Sequence, residues 1–432
     1  MCNRPQSTYG AYPSGDLPSG GPQINRYLYV TTEGFPPTVF DSQVLEYIHL
    51  MEDRGINFDL VVFERILDVP CHRKRTLSRF REVKSRLKGR LYYRVLFTTF
   101  VGLDLWIPRL QLFLILRRVG RVARIIIHAR SHTSGLITLG MKSWFPNLRV
   151  VLDIRGDSAA EYMLATRELA GELRSFWIRT KYARLKAIEK YSVTRADEII
   201  CVSEVMKAKL ESEYPATKAP ISVIPTVANS REFCLNFELR EQARNELHLH
   251  EEFVLGYSGS LRRYQSVGEM ILATRTLIEK GLNVHLIMIT PEVVQGRQLL
   301  QESLPTGSYS IISAIHYEVA KWLNAADAGW LLRESNPVNK VAAPTKFAEY
   351  LLCGLPVIMT AEIGDYSALA LRERLGVVLK DLSSFDDLFT RWEELQQLAQ
   401  PASRQRIARL ASKYFDLHQI AGTLERIYRG VR

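Results

Sequence analysis

The run PTKFAEYLLCGLPVI at residues 344–358 can fold in few ways. Pro344 suits a first helical position, where its fixed φ helps and its missing N–H costs nothing, and Gly354 suits the left-handed residue just past a helix end. A short helix must therefore begin near Pro344, stop before Gly354 and run into a strand. Phe347, Tyr350 and Leu351, at i, i+3 and i+4, face the core and leave Thr345, Lys346 and Glu349 together on a different face. A helix start carries unpaired N–H groups and a partial positive charge, so with Lys346 beside it this end suits a phosphate or diphosphate. Glu349 stands one turn on, about 6 Å along the axis from Thr345. A carboxylate there, which only accepts, can hold the paired hydroxyls of a ribose. The same residues also read as a surface ion pair, Lys346 with Glu349, on an ordinary amphipathic helix.

A chain of 432 residues with 47% hydrophobic side chains can fill two cores of roughly 200 residues each. Cys2, Cys71, Cys201, Cys234 and Cys353 lie far apart with no CxxC pair, which argues against a disulfide framework or a zinc site and fits a reducing cytoplasm. The net charge of +11 is concentrated: residues 71–124 hold fifteen Lys or Arg against Glu82 and Asp104, leaving 42 basic and 44 acidic residues elsewhere. Residues 1–25, rich in Pro, Gly and Ser and without an apolar signal region, are expected to be a disordered tail.

From Arg26 onward the pattern is α/β, with strands expected at 27–31 and 58–63 and a helix at 42–54. In the basic segment Leu77, Phe80, Val83 and Leu87 alternate with Arg79, Arg81, Lys84, Arg86 and Lys88 at near-helical spacing, a cationic amphipathic helix suited to an anionic membrane surface. Residues 95–116 could span a bilayer in length, but Asp104, Pro108 and Arg109 interrupt them, so a helix at 109–119 packed on the sheet is expected instead. Strands at 124–127 and 149–152 end in His128-Ala129-Arg130-Ser131 and Asp153-Ile154-Arg155-Gly156-Asp157, with Glu161 beyond. Ligands of open parallel sheets sit at the carboxyl ends of strands, so these polar ends should border one crevice. Taken singly, His128 also reads as a satisfied buried histidine and Asp153 with Arg155 as a structural ion pair.

A long helix is expected over 158–195, then a strand and a helix capped by Ser203, a strand at 221–224 and a linker at 225–229. A second doubly wound sheet follows, with strands at 253–257, 284–289, 310–313 and 328–332. After the first of these strands come Gly259, Ser260, Arg262 and Arg263. Gly259 allows close backbone approach, and either arginine can clamp a diphosphate. Closing helices at 385–398 and 404–428 could return to the first domain.

The run 344–358 resembles the donor-nucleotide segment of retaining GT-B glycosyltransferases of family 4 (glycosyl transferases group 1), in the polysaccharide-building branch. The His-Ala-Arg-Ser and Asp-x-Arg-Gly-x-x-x-x-Glu runs, the Ala-Asp-x-Ile-x-x-Val-Ser run ending at Ser203 and the linker are similar to that branch too. The resemblance implies two Rossmann-like domains facing a cleft, an acceptor-side domain at 26–225 with a basic insert at 72–124, a nucleotide-sugar domain at 226–400, and 401–432 crossing back. It places Gly34, Ser42 and Gln43 on the acceptor side, puts the donor nucleotide at Gly259, Ser260, Arg262, Arg263, Thr345, Lys346 and Glu349, and makes His128, Arg130, Asp153, Arg155 and Glu161 the catalytic candidates. Two departures stand out: Ser260 and Gln265 replace an Arg and a Lys of the common pattern, and Val341 stands where many members carry a Glu. Lys346, Arg262 and Arg263 are the substitutes for the missing cations.

The expected activity is hexosyl transfer from a nucleotide diphosphate sugar to a hydroxyl of a saccharide or lipid-linked saccharide. Retention of configuration is implied by the resemblance. No cofactor and no metal are expected, because cations and a helix start can stabilise the leaving diphosphate and neither a DxD nor a His/Cys cluster is present. The basic insert leads to an expected place on the cytoplasmic face of a membrane. Two other classes stay open: a nucleotide-sugar 2-epimerase of the same fold, and an anionic-surface or nucleic-acid binding protein built on the basic segment. No RNA-binding motif accompanies its aromatics, so nucleic acid is not an expected partner.

Overall fold

The computed structural model describes residues 25–35, 40–65, 69–96, 105–118, 124–166, 172–383 and 385–430; the side chains of 65, 69–77 and 172–175 fall outside that description. The expected N-terminal tail, Asp104, Val119 and the side chains of Arg73, Lys74 and Arg75 therefore lie outside it.

Strand sequences such as RIIIHAR and LRVVLDI are apolar without alternation, which fits burial on both faces and parallel pairing between helical layers. The first sheet contains β1 (Asn25–Thr31), β2 (Phe58–Arg65), β3 (Leu91–Leu96), β4 (Arg124–Arg130), β5 (Leu148–Ile154), β6 (Glu198–Cys201) and β7 (Ile221–Val223), in the order β3-β2-β1-β4-β5-β6-β7. The second contains β8 (Phe253–Ser258), β9 (Val284–Ile289), β10 (Tyr309–Ile312), β11 (Ala328–Leu331), β12 (Val357–Thr360) and β13 (Gly376–Leu379), in the order β10-β9-β8-β11-β12-β13. Both are parallel throughout. Strand order reverses between β1 and β4 and again between β8 and β11, the places where ligands bind in such sheets. Register sets Thr31 beside Arg130 and Arg130 beside Asp153, so three polar residues share one sheet end.

Several elements differ from the sequence reading. β3 is an edge strand that the apolar run concealed; half-buried side chains and Arg94 keep its outer edge polar. The helix expected at 42–54 opens with one π-helical turn, Asp41–Leu45, before Glu46–Glu52. The long helix expected at 158–195 is two, Ser158–Thr166 and Glu172–Arg195. The last helix, Ala421–Arg429, does return to the first domain: Leu424, Ile427 and Tyr428 share a core with Tyr29 and Phe58. A bridge between Ala228 and Asp416 and an Arg54–Glu425 ion pair of 3.0 Å fasten that crossing.

The basic segment is also redistributed. Helix Val69–Arg86 buries Val83 in the core and sets Phe80 6.4 Å from Tyr93, so these two apolar side chains are spent on the protein. Arg79 and Arg86 are drawn to Asp41 at 2.5 and 3.1 Å. Helix Trp106–Arg118 has apolar residues on two sides: Pro108, Leu112, Ile115 and Leu116 are buried, whereas Trp106 is 73%, Leu110 51% and Leu114 49% exposed. Among the described residues no helix is long and apolar enough to cross a membrane.

Candidate donor and acceptor walls of the interdomain cleft

Helix Thr345–Leu352 forms one wall. Pro344 caps it with extended backbone, one residue ahead of the position expected, and Gly354 (φ +69°) ends it as N–H groups of Gly354 and Leu355 bond back to Leu351 and Tyr350. Lys346 donates from Nζ to Gln265 Oε1 at 2.7 Å and lies 4.0 Å from the centre of the Tyr257 ring. Both partners are uncharged. Gly259 (φ +142°) makes room for it, because a Cβ there would come 2.6 Å from Lys346 Cε. Burial, with the neighbouring Arg333 charge, holds the ammonium well below its ordinary pKa against the pull of Glu349. Glu349 is 8% exposed, and its carboxylate accepts no hydrogen bond from the described residues. Burial raises its pKa, opposed by His316 and Lys346. A diphosphate beside Lys346 and hydroxyl donors beside Glu349 would relieve both penalties at once.

The sequence reading missed Arg333. It follows β11, is 7% exposed, donates to Tyr264 O at 2.6 Å and stacks 5.1 Å over the Tyr264 ring. Its place two residues past a strand end was the available signal. Arg262 and Arg263 are exposed, so the second cation felt at Lys346 comes from β11 and not from the loop after β8. Ser260 adjoins the site through its carbonyl, which accepts the Tyr257 hydroxyl at 2.6 Å.

The facing wall is centred on Asp153, which is fully buried. Arg155 Nε lies 2.9 Å from its carboxylate, His128 Nε2 3.2 Å and Arg130 Nη1 3.6 Å. Burial works to raise the Asp153 pKa, but Arg155, the His128 hydrogen bond and Arg130 outweigh it and hold the group well below the usual carboxylate range. His128 is also fully buried, stacked on Tyr29 at 4.2 Å, with Nδ1 2.9 Å from the Tyr428 hydroxyl. A carboxylate can only accept, so Nε2 carries the proton and Nδ1 accepts from Tyr428. Burial lowers the His128 pKa. With both nitrogens paired, it ties the last helix to the sheet and does not face the cleft.

Arg130, also buried, links to the other domain. Its Nε donates to Glu33 at 3.1 Å and its Nη2 to Gln43 Oε1 at 2.7 Å, and Gln43 Nε2 in turn donates to Thr345 Oγ1 at 2.9 Å. That chain joins the two walls. The π-helical turn that buries Ser42 and Gln43 aims this link, and Gly34 (φ +66°) turns the preceding loop, with its N–H bonded to Phe63 O. Glu161 packs against Gly156, where a Cβ would collide with its carboxylate. Val341 is 3% exposed, and its carbonyl accepts the Ser203 hydroxyl at 3.0 Å, a packing role where a Glu was the alternative. Lower in the interface, Glu46, Glu232 and His316 bring ligand-type atoms within 4.8 Å of one another. Burial and the Glu232 charge push the Glu46 carboxyl up to about 8. Two formed cavities, of about 450 and 910 Å³, open elsewhere, the larger at the amino ends of β4 to β7, away from the strand ends that carry the polar groups.

No family model matches the chain. Over 113 residues it is 29% identical to the capsular polysaccharide biosynthesis glycosyltransferase CapM of Staphylococcus aureus; that stretch is 25% of this chain and 30% of the relative. The chain thus matches less than a third of the curated relative's length. Among solved structures, sucrose-phosphate synthase of Thermosynechococcus elongatus aligns with TM-score 0.67 and 15% identity over 94% of this chain and 99% of that one. Anabaena HepE in complex with UDP aligns with TM-score 0.66 and 14% identity over 94% and 100%. WaaG, a glycosyltransferase involved in lipopolysaccharide biosynthesis, gives 0.62 and 14% over 94% and 100%. The chain has the GT-B fold.

Proposed function

We propose that this chain is a glycosyltransferase of polysaccharide synthesis, moving a sugar from a nucleoside diphosphate sugar to a saccharide hydroxyl. The observation that carries the reading is the wall at Thr345–Leu352, where half-buried Lys346 and buried Glu349 stand one turn apart against neutral or absent partners. On this reading Glu349 accepts from the ribose hydroxyls, while Lys346, Arg333 and the helix start neutralise charge developing on the leaving diphosphate. These groups supply the cationic role, so we take no metal to be required. Retention of configuration rests on the resemblance alone. The match to a capsular polysaccharide enzyme and the UDP bound by HepE support this class. A thermal-shift panel of UDP-, GDP-, ADP- and CDP-sugars tests it: one donor at a hundred times its Kd should stabilise the fold by about 2.7 kcal/mol. No stabilisation by any of them sinks the reading, and isomerisation of the donor without acceptor would turn it into a 2-epimerase.

We further place the protein on the cytoplasmic face of a membrane, within reach of a lipid-linked acceptor. Trp106, Leu110 and Leu114 are exposed along one side of a helix ending in exposed Arg117 and Arg118, and Trp144, 68% exposed, adjoins it through Phe113 at 5.6 Å. Tryptophans with flanking arginines suit the interface of an anionic bilayer. Flotation with anionic vesicles should carry wild-type protein and lose it when Trp106, Leu110 and Trp144 become Ser. Wild-type protein that stays behind at low salt leaves a soluble acceptor.

A further inference from the structure

The facing wall has an unfilled side. Arg155 spends its Nε on Asp153, while Nη1 and Nη2, both buried, meet no hydrogen-bond acceptor. Arg130 Nη1 is in the same state, 3.6 Å from Asp153. Tyr47, whose ring lies 5.0 Å from the Arg155 guanidinium carbon, holds a buried hydroxyl that is also unpartnered. All four atoms can donate. A buried donor left without an acceptor loses its hydration with nothing in return, so four of them at one corner call for acceptor oxygens. The planar fork of a guanidinium matches a phosphate or carboxylate edge. Gln43 sets the distance of this corner from the donor helix, since it spans from Arg130 to Thr345.

We propose that Arg155, Arg130 and Tyr47 form a binding site for an anionic oxygen group, phosphate or carboxylate, carried by the acceptor saccharide. The assignment to the acceptor rests on the glycosyltransferase reading, in which Lys346 and Arg333 on the opposite domain already serve the donor diphosphate. The anion-binding site itself does not depend on it. Asp153 holds the two arginines at fixed angles, and the ligand completes their hydrogen bonding without having to order them first.

The test is calorimetric titration of the full chain with inorganic phosphate and, separately, glucuronate, each with and without saturating UDP. Binding of either probe alongside UDP is expected, with affinity falling at least tenfold in Arg155→Gln and about threefold to tenfold in Tyr47→Phe. UDP affinity should change less than twofold in both. Tyr47→Phe removes one oxygen and keeps the ring under Arg155, so it reports even if Arg155→Gln folds poorly. Preference for phosphate over glucuronate, or the reverse, identifies the group on the acceptor. Exclusion of both probes by UDP would give this corner to the donor and overturn the acceptor assignment. Probe binding that needs Arg155 in a protein that binds no nucleotide would keep the anion site and remove the glycosyltransferase reading. Absence of probe binding, or binding indifferent to both substitutions, overturns the site.

Discussion

The two walls of the cleft treat charge in opposite ways. At Asp153 one carboxylate gathers Arg155, His128 and Arg130 into a charge-matched network, with Arg155 Nη1 and Nη2 and Arg130 Nη1 left unpaired on its outer side. At Thr345–Leu352, Lys346 rests on an amide and an aromatic ring, and Glu349 has no hydrogen-bond donor among the described residues. The first arrangement matches its arginines with a counter-charge and leaves only their outer donors unmade; the second gives neither charge a hydrogen-bonded counter-charge until a ligand arrives. The difference lies in charge pairing and not in burial, since Asp153 and Glu349 are both buried.

The largest effect should come from the Asp153 wall. Asp153→Asn leaves two buried guanidiniums without their shared counter-charge, and should cost about 3–5 kcal/mol of stability in chemical denaturation. The pH dependence follows from the lowered Asp153 pKa. A carboxylate whose folded pKa lies below its unfolded value of about 3.9 contributes fully above that value, and the contribution is lost as pH falls toward the folded pKa. Wild-type stability should therefore fall below about pH 4, and the variant should lack most of that slope. At Thr345–Leu352 the balance reverses. Glu349→Ala should weaken nucleotide binding by about 1.5–3 kcal/mol while leaving the ligand-free fold as stable as before or slightly more so. Lys346→Met should weaken a nucleoside diphosphate by about 1.5–2 kcal/mol and the bare nucleoside hardly at all, since only the former brings charge to neutralise. Equal losses of ligand-free stability in Asp153→Asn and Glu349→Ala would erase the distinction between the walls.

How far each wall could be read from sequence follows the same division. The wall at Thr345–Leu352 lies on one continuous helix, so spacing alone put Lys346 and Glu349 on a shared face beside a phosphate-suited end. The Asp153 wall is assembled from the ends of β1, β4 and β5, the turn at Asp41–Leu45 and the last helix, and apart from Arg155, two positions from Asp153, its partners are 25 to 300 positions apart. His128 shows what that costs: local sequence marks a polar strand end, while its actual partner, Tyr428, arrives only when the chain has crossed back. Arg333 escaped notice because it carries no motif, only a position after a strand. Most strands of the two sheets were legible in apolar runs bounded by polar ends, although β13 was not among them. β3 was not, since an edge strand with half-buried side chains has no such contrast, and the exposed face of Trp106–Arg118 depends on which apolar side the sheet happens to cover.

The smallest effect belongs to the place where neither description fits. Glu46, from the first domain, meets Glu232 and His316 of the second, with Glu232 Oε2 3.8 Å from His316 Nε2. Two carboxylates brought together across an interface form a charged contact like the Asp153 network, but one whose charges repel. Burial and Glu232 raise the Glu46 pKa to about 8, above the unfolded value, so the contact takes up a proton as the domains close. Its contribution is fully present below the unfolded pKa of about 4.3 and is lost as pH rises through the folded value. Glu46→Gln carries the neutral form at every pH. The variant should gain on wild type progressively from pH 5 to pH 8.5, read as a melting-temperature difference that widens toward the alkaline end. A constant difference between the two proteins from pH 5 to 8.5 would mean that Glu46 is ionised throughout in the folded chain, and that the interface tolerates the pair as it tolerates any solvated charge.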